Sequence, residues 1–384
     1  MFASEKLPRL LADLRGRQTQ MVRLLAKFTR AESPSDAKRA VDLFGRMVAA
    51  EWRRRGADVR FLHQAQRGDH VRAVWPGRSA RAGQILVLGH LDTVYGLGTL
   101  RSMPFRLTRG RAFGPGVFDM KGGLVIALFA VDALARAGWQ PQRPVSFLWT
   151  SDEEVGSKTS RALIEGEARR SSAALVLEPA SGPDGRLKTQ RKGVGTAEVL
   201  VTGRAAHAGI DPDAGVNAVH ELALQIARIA QLSRTRRGIT VRPTVVEGGT
   251  RSNVIPAAAR VVVDLRARSA ADMRAVERSL RALRPILPGA KIEVRGGFSR
   301  PPLERTASAA LFAHAHELAQ ALGIALEEAS TGGGSDGCFT AAMGVPTLDG
   351  LGAVGEGAHS AHENVVVRAL PERAALLAGL LATL

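Results

Sequence analysis

The chain predicts an α/β protein of two domains, one inserted into the other, and three observations carry that expectation. From residue 84 onward, short continuous apolar runs alternate with helical patterns, as in strands buried on both faces of an α/β sheet. Near residue 194 the grammar changes to alternating strands and amphipathic helices in the order β-α-β-β-α-β, that of a ferredoxin-like unit. After Arg300-Pro301-Pro302 the first grammar resumes, so residues 1–193 and 301–384 read as one domain and 194–300 as an insertion. With 384 residues, 45% of them hydrophobic and 23% charged, there is material for two cores, and disorder is excluded.

Element by element, the chain opens with Leu10, Leu11, Leu14, Met21, Leu24 and Leu25 at helical spacing, an amphipathic first helix. It lacks the continuous apolar stretch of a signal peptide, and no run of about 18 apolar residues would span a bilayer. The expectation is a cytoplasmic protein with no membrane partner. Residues 84–88 form a strand running into His90, with His63 and His70 ahead of the sheet. Residues 124–137 form a helix led in by Gly122-Gly123, and 144–149 a strand ending at Ser151-Asp152-Glu153-Glu154. Residues 174–177 deliver Glu178. In the insertion, 195–203, 239–247, 257–266 and 290–295 read as strands, with helices over 215–232 and 270–286. The return brings a helix over 307–322, a glycine-rich loop over 331–337, a strand over 345–348 and a last helix from Pro371.

The formal charge of +17 raises the question of nucleic acid. Aromatics are only 4%, with one Tyr, and the arginines are scattered, so stacking platforms and basic blocks are lacking. The charge reads as a solvated surface whose field favours small anionic substrates, with no nucleic-acid partner. The single cysteine, Cys338, excludes an intrachain disulfide and a thiolate metal cluster. Any metal must therefore be held by His, Asp and Glu.

Those residue types gather where the apolar runs end: GHLDTVY (89–95), GPGVFDMKGG (114–123), SDEEVGS (151–157), VLEPAS (176–181) and GEGAHSAHE (355–363). Each has an ordinary reading, since Asp119 could cap a helix, Glu153-Glu154 could be a solvated pair and Glu178 a plain strand end. Together they offer imidazoles and carboxylates at one sheet edge, the donors of a hydrolytic metal site and the place where open α/β folds put their ligands. The loop over 331–337 lacks the Lys-Ser/Thr of a phosphate loop, so close backbone approach to a substrate explains its glycines better.

In these motifs and their order the chain resembles the metallopeptidases and amidohydrolases that include glutamate carboxypeptidase, acetylornithine deacetylase, succinyl-diaminopimelate desuccinylase and the aminoacylases. Within that family it is most similar to the folate-cleaving glutamate carboxypeptidases. The resemblance implies a mixed-sheet zinc-peptidase catalytic domain with an inserted ferredoxin-like dimerisation and lid domain, and hence a homodimer. It implies two divalent metal ions, zinc first, with Co2+ and Mn2+ suiting the same donors. Asp119 would be shared by both ions, His90 and Glu178 would complete one, and Glu154 and His359 the other, with His362 the rival to His359. Asp92 would orient His90 through the ring's second N–H. Glu153 would be the general base, facing a water while Glu154 faces a metal, as neighbours in an extended segment point opposite ways. His207 would reach the partner subunit's site as an oxyanion donor, its plain alternative being a turn histidine capping the helix that follows. Asn253, Arg266, Arg300, Gly333 and Gly334 would bind substrate, although Arg266 could simply face outward from its strand. The implied activity is amide hydrolysis releasing a C-terminal amino acid, glutamate first, from a small anionic N-acyl or peptidyl substrate. The folate-cleaving branch carries Arg-Thr where this chain has Ser330-Thr331, so an N-acyl-amino-acid deacylase stays open beside it, and a catalytically silent binding protein remains the rival of another class.

Overall fold

Six strands build the main sheet of the first unit in the computed structural model, which describes residues 2–79 and 83–384. They are β1 (Asp58–Leu62), β2 (His70–Trp75), β3 (Gln84–His90), β4 (Val145–Thr150), β5 (Ser171–Val176) and the two-residue strand Thr347–Leu348. In space the order is β1-β2-β4-β3-β5 and then Thr347–Leu348. β3 runs parallel to β4 and β5, and β5 parallel to Thr347–Leu348, whereas β2 is antiparallel to β1 and β4. The sheet is therefore mixed. Every residue of β3 and β4 is buried, which is why both read as nearly continuous apolar runs.

β1 and β2 correct the sequence placement of two histidines. His63 directly follows β1, and His70 is the first residue of β2. β1 is an edge strand whose residues alternate between exposed and half-buried, so no apolar run announces it. The N-terminal helix is also two helices, Phe2–Gly16 and Gln18–Thr29. The break falls at Arg17, whose guanidinium donates to Asp132 at 2.9 Å. Helix Gly122–Arg136 is buried along most of its length and packs against the equally buried helix Ala369–Thr383. Its glycine lead-in has a local cause, since a Cβ on Gly123 would lie 2.4 Å from the Leu177 carbonyl oxygen. The start of this helix is thereby set directly against the chain that leads to Glu178.

The main sheet of the second unit has four strands, β6 (Gly193–Thr202), β7 (Thr240–Gly248), β8 (Ala258–Ala267) and β9 (Lys291–Arg300), in the order β7-β8-β6-β9 with every neighbouring pair antiparallel. Helices Ala218–Ala230 and Ala270–Arg281 share one apolar cluster with this sheet, as in a ferredoxin-like unit. Both helices start at side-chain caps, Asn217 accepting from His220 N–H and Ser269 from Asp272 N–H. By packing, the first unit comprises Met1–Gln190, Arg305–Ser330 and Ser335–Leu384, and the second Arg191–Glu304 with Thr331–Gly334. The front of the glycine loop thus packs with the second unit.

Under β2 and β4 lies an aromatic layer, with Phe147 centred 4.0 Å from Trp52 and 5.8 Å from Trp149. All three are fully buried. Phe147→Ala is expected to lower the unfolding free energy by about 3–5 kcal/mol, because removing the ring leaves a cavity that the two large indoles beside it cannot close. Urea denaturation followed by tryptophan fluorescence checks this, and a loss under about 1 kcal/mol, the ordinary scale of a point substitution, would mean the layer repacks freely.

Candidate metal centre

His90 ends β3 with its ring buried. Nδ1 lies 2.9 Å from the backbone carbonyl of Asp92. A carbonyl only accepts, so Nδ1 carries the proton and donates it, which aims the Nε2 lone pair outward. Nε2 meets Asp119 Oδ1 at 3.1 Å and Glu178 Oε1 at 3.5 Å. Asp92 therefore orients the ring chiefly through its main chain, with its carboxylate 3.5 Å away. That carboxylate is engaged elsewhere, accepting Ser35 Oγ–H at 2.7 Å and the backbone N–H groups of Glu153 and Glu154 at 3.3 and 3.2 Å.

Asp119 sits in the turn Val117–Lys121, before helix Gly122–Arg136, and the Asp119–Met120 peptide is cis. Its two oxygens face different imidazoles, Oδ1 toward His90 Nε2 and Oδ2 toward His359 Nε2 at 3.4 Å. Glu154 Oε2 stands 3.2 Å from the same His359 nitrogen, while Glu154 Oε1 is buried with no hydrogen-bond partner among the described residues. Glu153 and Glu154 lie in a 3-10 turn, Glu153–Val155, not in an extended segment. The backbone of the pair is set by that turn, by the left-handed Gly156 that ends it and by the Asp92 carboxylate on both N–H groups. His359 is left-handed itself, at φ 62, a conformation that costs a non-glycine residue about 1–3 kcal/mol and persists where its surroundings hold it. His362, the rival, has its Nδ1 3.0 Å from Ser360 Oγ.

The electrostatics ask for a cation. Burial works against the charge of Asp119, yet the His359 and His90 imidazoles beside it hold its carboxyl far below the usual range. Asp119 and Glu154 raise His359 to about 10 against partial burial. Burial pushes His90 down, but Asp119, Asp92 and Glu178 outweigh it and lift the ring well above its ordinary value. Burial raises Glu154, with Asp119 adding repulsion. One donor atom each of His90, Asp119 and Glu154 lies within 4.8 Å of the others. Imidazole nitrogens, converging carboxylates and the orphaned Glu154 oxygen fit divalent ions.

Three residues around the centre went unassigned from sequence, the buried Lys121 and Glu363 and the half-buried Tyr95. Lys121 donates to the Ala31 carbonyl at 2.7 Å over the Phe44 ring, and burial pushes its amine down to about 7 against the pull of Glu363 and Glu32. Glu363 and Tyr95 form a short hydrogen bond of 2.5 Å. Both belong to motifs that carry ligands, the one signal available for them. His70 is a fourth, buttressing the turn before Glu153 by accepting Ser151 N–H at 3.1 Å.

The remaining candidates lie in the second unit. His207 pairs with Val254 across a two-residue ladder, and its Nδ1 accepts the N–H groups of Gly209 and Ile210 at 3.2 and 3.1 Å. The neutral ring thus carries its proton on Nε2. It caps its own turn rather than the helix that follows. Asn253 accepts Ala208 N–H through its backbone carbonyl at 2.9 Å. Arg266 is bidentate on Asp264, at 3.1 and 2.9 Å, and reaches the Gly332 carbonyl at 3.3 Å. Arg300 is buried against Gly334, where a Cβ would come 2.6 Å from its Cδ. Arg191, unassigned from sequence, donates to the carbonyls of Gly333 and Gly334 at 3.2 and 3.1 Å.

A raised imidazole must lose its proton before it can bind a metal. Zn2+ added to chelator-stripped protein near pH 7 is therefore expected to release protons, seen as a calorimetric enthalpy that varies with the buffer's ionisation heat. Metal affinity should climb as pH rises toward about 10. The sign for stability is opposite. His359, raised from 6.5, stabilises the stripped protein fully below pH 6.5 and loses that contribution as pH passes about 10. Buffer-independent enthalpies would contradict both.

Residues 86–383 match peptidase family M20/M25/M40. Carboxypeptidase G2 of Pseudomonas sp. (strain RS-16) is 31% identical over 375 residues, covering 95% of this chain and 89% of that protein. Succinyl-diaminopimelate desuccinylase of Dechloromonas aromatica (strain RCB) is 27% identical over 353 residues, covering 84% and 88%. Among solved structures, aminopeptidase PepT from Bacillus cereus shares the fold at a TM-score of 0.78 and 20% identity, over 95% of this chain and 98% of that one. With residues 86–383 matched and a 31%-identical relative aligned over 95% of this chain, the chain belongs to peptidase family M20/M25/M40, the metallopeptidases and amidohydrolases that cleave peptide or amide bonds.

Proposed function

We propose that the chain releases a C-terminal amino acid, glutamate first, from a small anionic N-acyl or peptidyl substrate at a centre of two divalent ions. The observation that carries this reading is Asp119, whose two oxygens address two different imidazoles. Asp119 would be common to both ions, with His90 and Glu178 on one side and Glu154 and His359 on the other. Zinc, or Co2+ or Mn2+ in its place, would supply Lewis acidity and an acidified water when bound. Glu153 accepts the proton of that water and returns it to the leaving amine nitrogen. His207 offers its Nε2–H to the oxyanion that develops on the scissile carbonyl. Asn253, Arg266, Arg300 and the backbone at Gly333-Gly334 take the substrate's carboxylate.

A homodimer through the second unit accompanies this reading, with His207 serving the partner subunit's centre. β7 is an edge strand with Val245 and Val246 exposed by 47% and 57%, the kind of edge that a soluble protein covers. The carboxypeptidase relative supports release of a C-terminal residue. The desuccinylase relative and Ser330-Thr331 favour a second reading, an N-acyl-amino-acid deacylase with the same catalytic residues.

Glu153→Gln is expected to keep its metal and lose about 100- to 10,000-fold in kcat, measured beside metal content. Near-normal turnover would remove Glu153 as the base. A folate-like or N-acyl-glutamate substrate should outpace N-acetyl-ornithine and succinyl-diaminopimelate, and the reverse order selects the deacylase. Mixing Glu153→Gln subunits with His207→Ala subunits should restore part of the activity that each lacks. No recovery despite demonstrated subunit exchange would end the shared-site reading.

A further inference from the structure

The two ligands that meet across the centre, Asp119 and His359, come from segments some 240 residues apart in sequence, and one side chain ties them together. Glu363 is fully buried. Its Oε1 accepts the backbone N–H groups of Phe118 and Asp119 at 2.8 and 2.9 Å. Its Oε2 accepts Gly116 N–H at 3.2 Å and the Tyr95 phenol at 2.5 Å. Tyr95 oxygen also lies 3.0 Å from the carbonyl of Ser360, the residue after His359. An ionised carboxylate is an acceptor at both oxygens, and here four donors converge on it. An amide would turn two of its own N–H bonds toward donors.

We propose that Glu363, with Tyr95, is the positioning residue of the centre: it clamps the Asp119 turn to the His359 loop so that both ligands stand at their separation before an ion arrives. The proposal rests on the two-ion reading above. Glu363 needs no contact with metal or substrate to act. It holds the main chain on which Asp119 stands and, through its own position four residues on, the loop in which His359 keeps its left-handed backbone. Without the clamp, an arriving ion has to order two segments, and affinity falls by that cost.

The test uses full-length protein stripped with a chelator and titrated with Co2+ alone, read by calorimetry and by the visible spectrum of the bound ion. Wild type is expected to take two equivalents, and fewer than two would overturn the two-ion reading and this proposal with it. Given two, Glu363→Gln is expected to weaken at least one equivalent by about 10- to 100-fold and to shift the Co2+ spectrum. Tyr95→Phe, which removes one hydroxyl, is expected to weaken it by about threefold to tenfold. A purely structural role would lower the melting temperature while leaving both affinities and the spectrum as in wild type, and that result overturns the clamp alone. Should Glu363→Gln fail to fold, Tyr95→Phe decides, with wild-type affinities in that variant overturning the proposal.

Discussion

Everything at this centre follows from crowding carboxylates at a buried edge. Asp119, Glu154 and Glu178 converge on two imidazoles, with donor atoms of His90, Asp119 and Glu154 within 4.8 Å of one another. Two like charges about 4 Å apart repel by about 4 kcal/mol in surroundings of intermediate polarity. The fold resists that repulsion with backbone groups. The Asp92 carboxylate grips the N–H groups of Glu153 and Glu154, Glu363 grips those around Asp119, and the Asp92 carbonyl holds His90. Because these other groups do the holding, the ligand atoms themselves face inward. The raised imidazoles and the lowered Asp119 are one field seen from two sides, that of a site built for positive charge.

Strand direction explains how one edge receives all of this. β3, β4 and β5 are parallel neighbours, so their carboxyl ends emerge together and bring His90, Ser151 to Glu154 and Glu178 side by side. The start of helix Gly122–Arg136 closes over them at the near-contact between Gly123 and Leu177. The strands are buried on both faces, so a polar residue is tolerated only where they end. That gives the sequence its contrast between apolar run and terminal acid or imidazole.

The same contrast decides what sequence reading reaches. His90 and Glu178 stand out because each interrupts an apolar run, and the ferredoxin-like order stands out because β8 alternates along its length. β1 does not, since an edge strand has no continuous apolar run to show. Glu363 and Tyr95 lie in quoted motifs, yet Glu363 is held largely by backbone N–H groups and Tyr95 reaches a backbone carbonyl, and such main-chain partners leave no trace in residue identity. The backbone of Glu153 and Glu154 is hidden for the same reason, since a 3-10 turn and an extended pair look alike in sequence when the determining contact is a distant aspartate on their amides. His207 is half legible: the motif marks it, but only the turn that loads Nδ1 shows which nitrogen keeps the proton.

Selection of substrate rests on a different logic from the chemistry. The acids and imidazoles of the candidate centre would hold cations, a task that by itself sets no preference between glutamate and ornithine. In the second unit, Arg266 is already bidentate on Asp264 through Nε and Nη2, and its Nη1 is shared with the Gly332 carbonyl. A substrate carboxylate that takes this guanidinium must either displace Asp264 or use the end where Gly332 now sits. Exchange of one carboxylate for another returns little net energy, because both are charge-assisted pairs of the same kind. On the proposed reading, discrimination would depend on whether the incoming group also satisfies Gly332 to Gly334, where Arg266 holds the first carbonyl, Arg191 the other two, and Gly334 lies against Arg300. A glycine loop suits that role because its peptide groups present themselves without side chains.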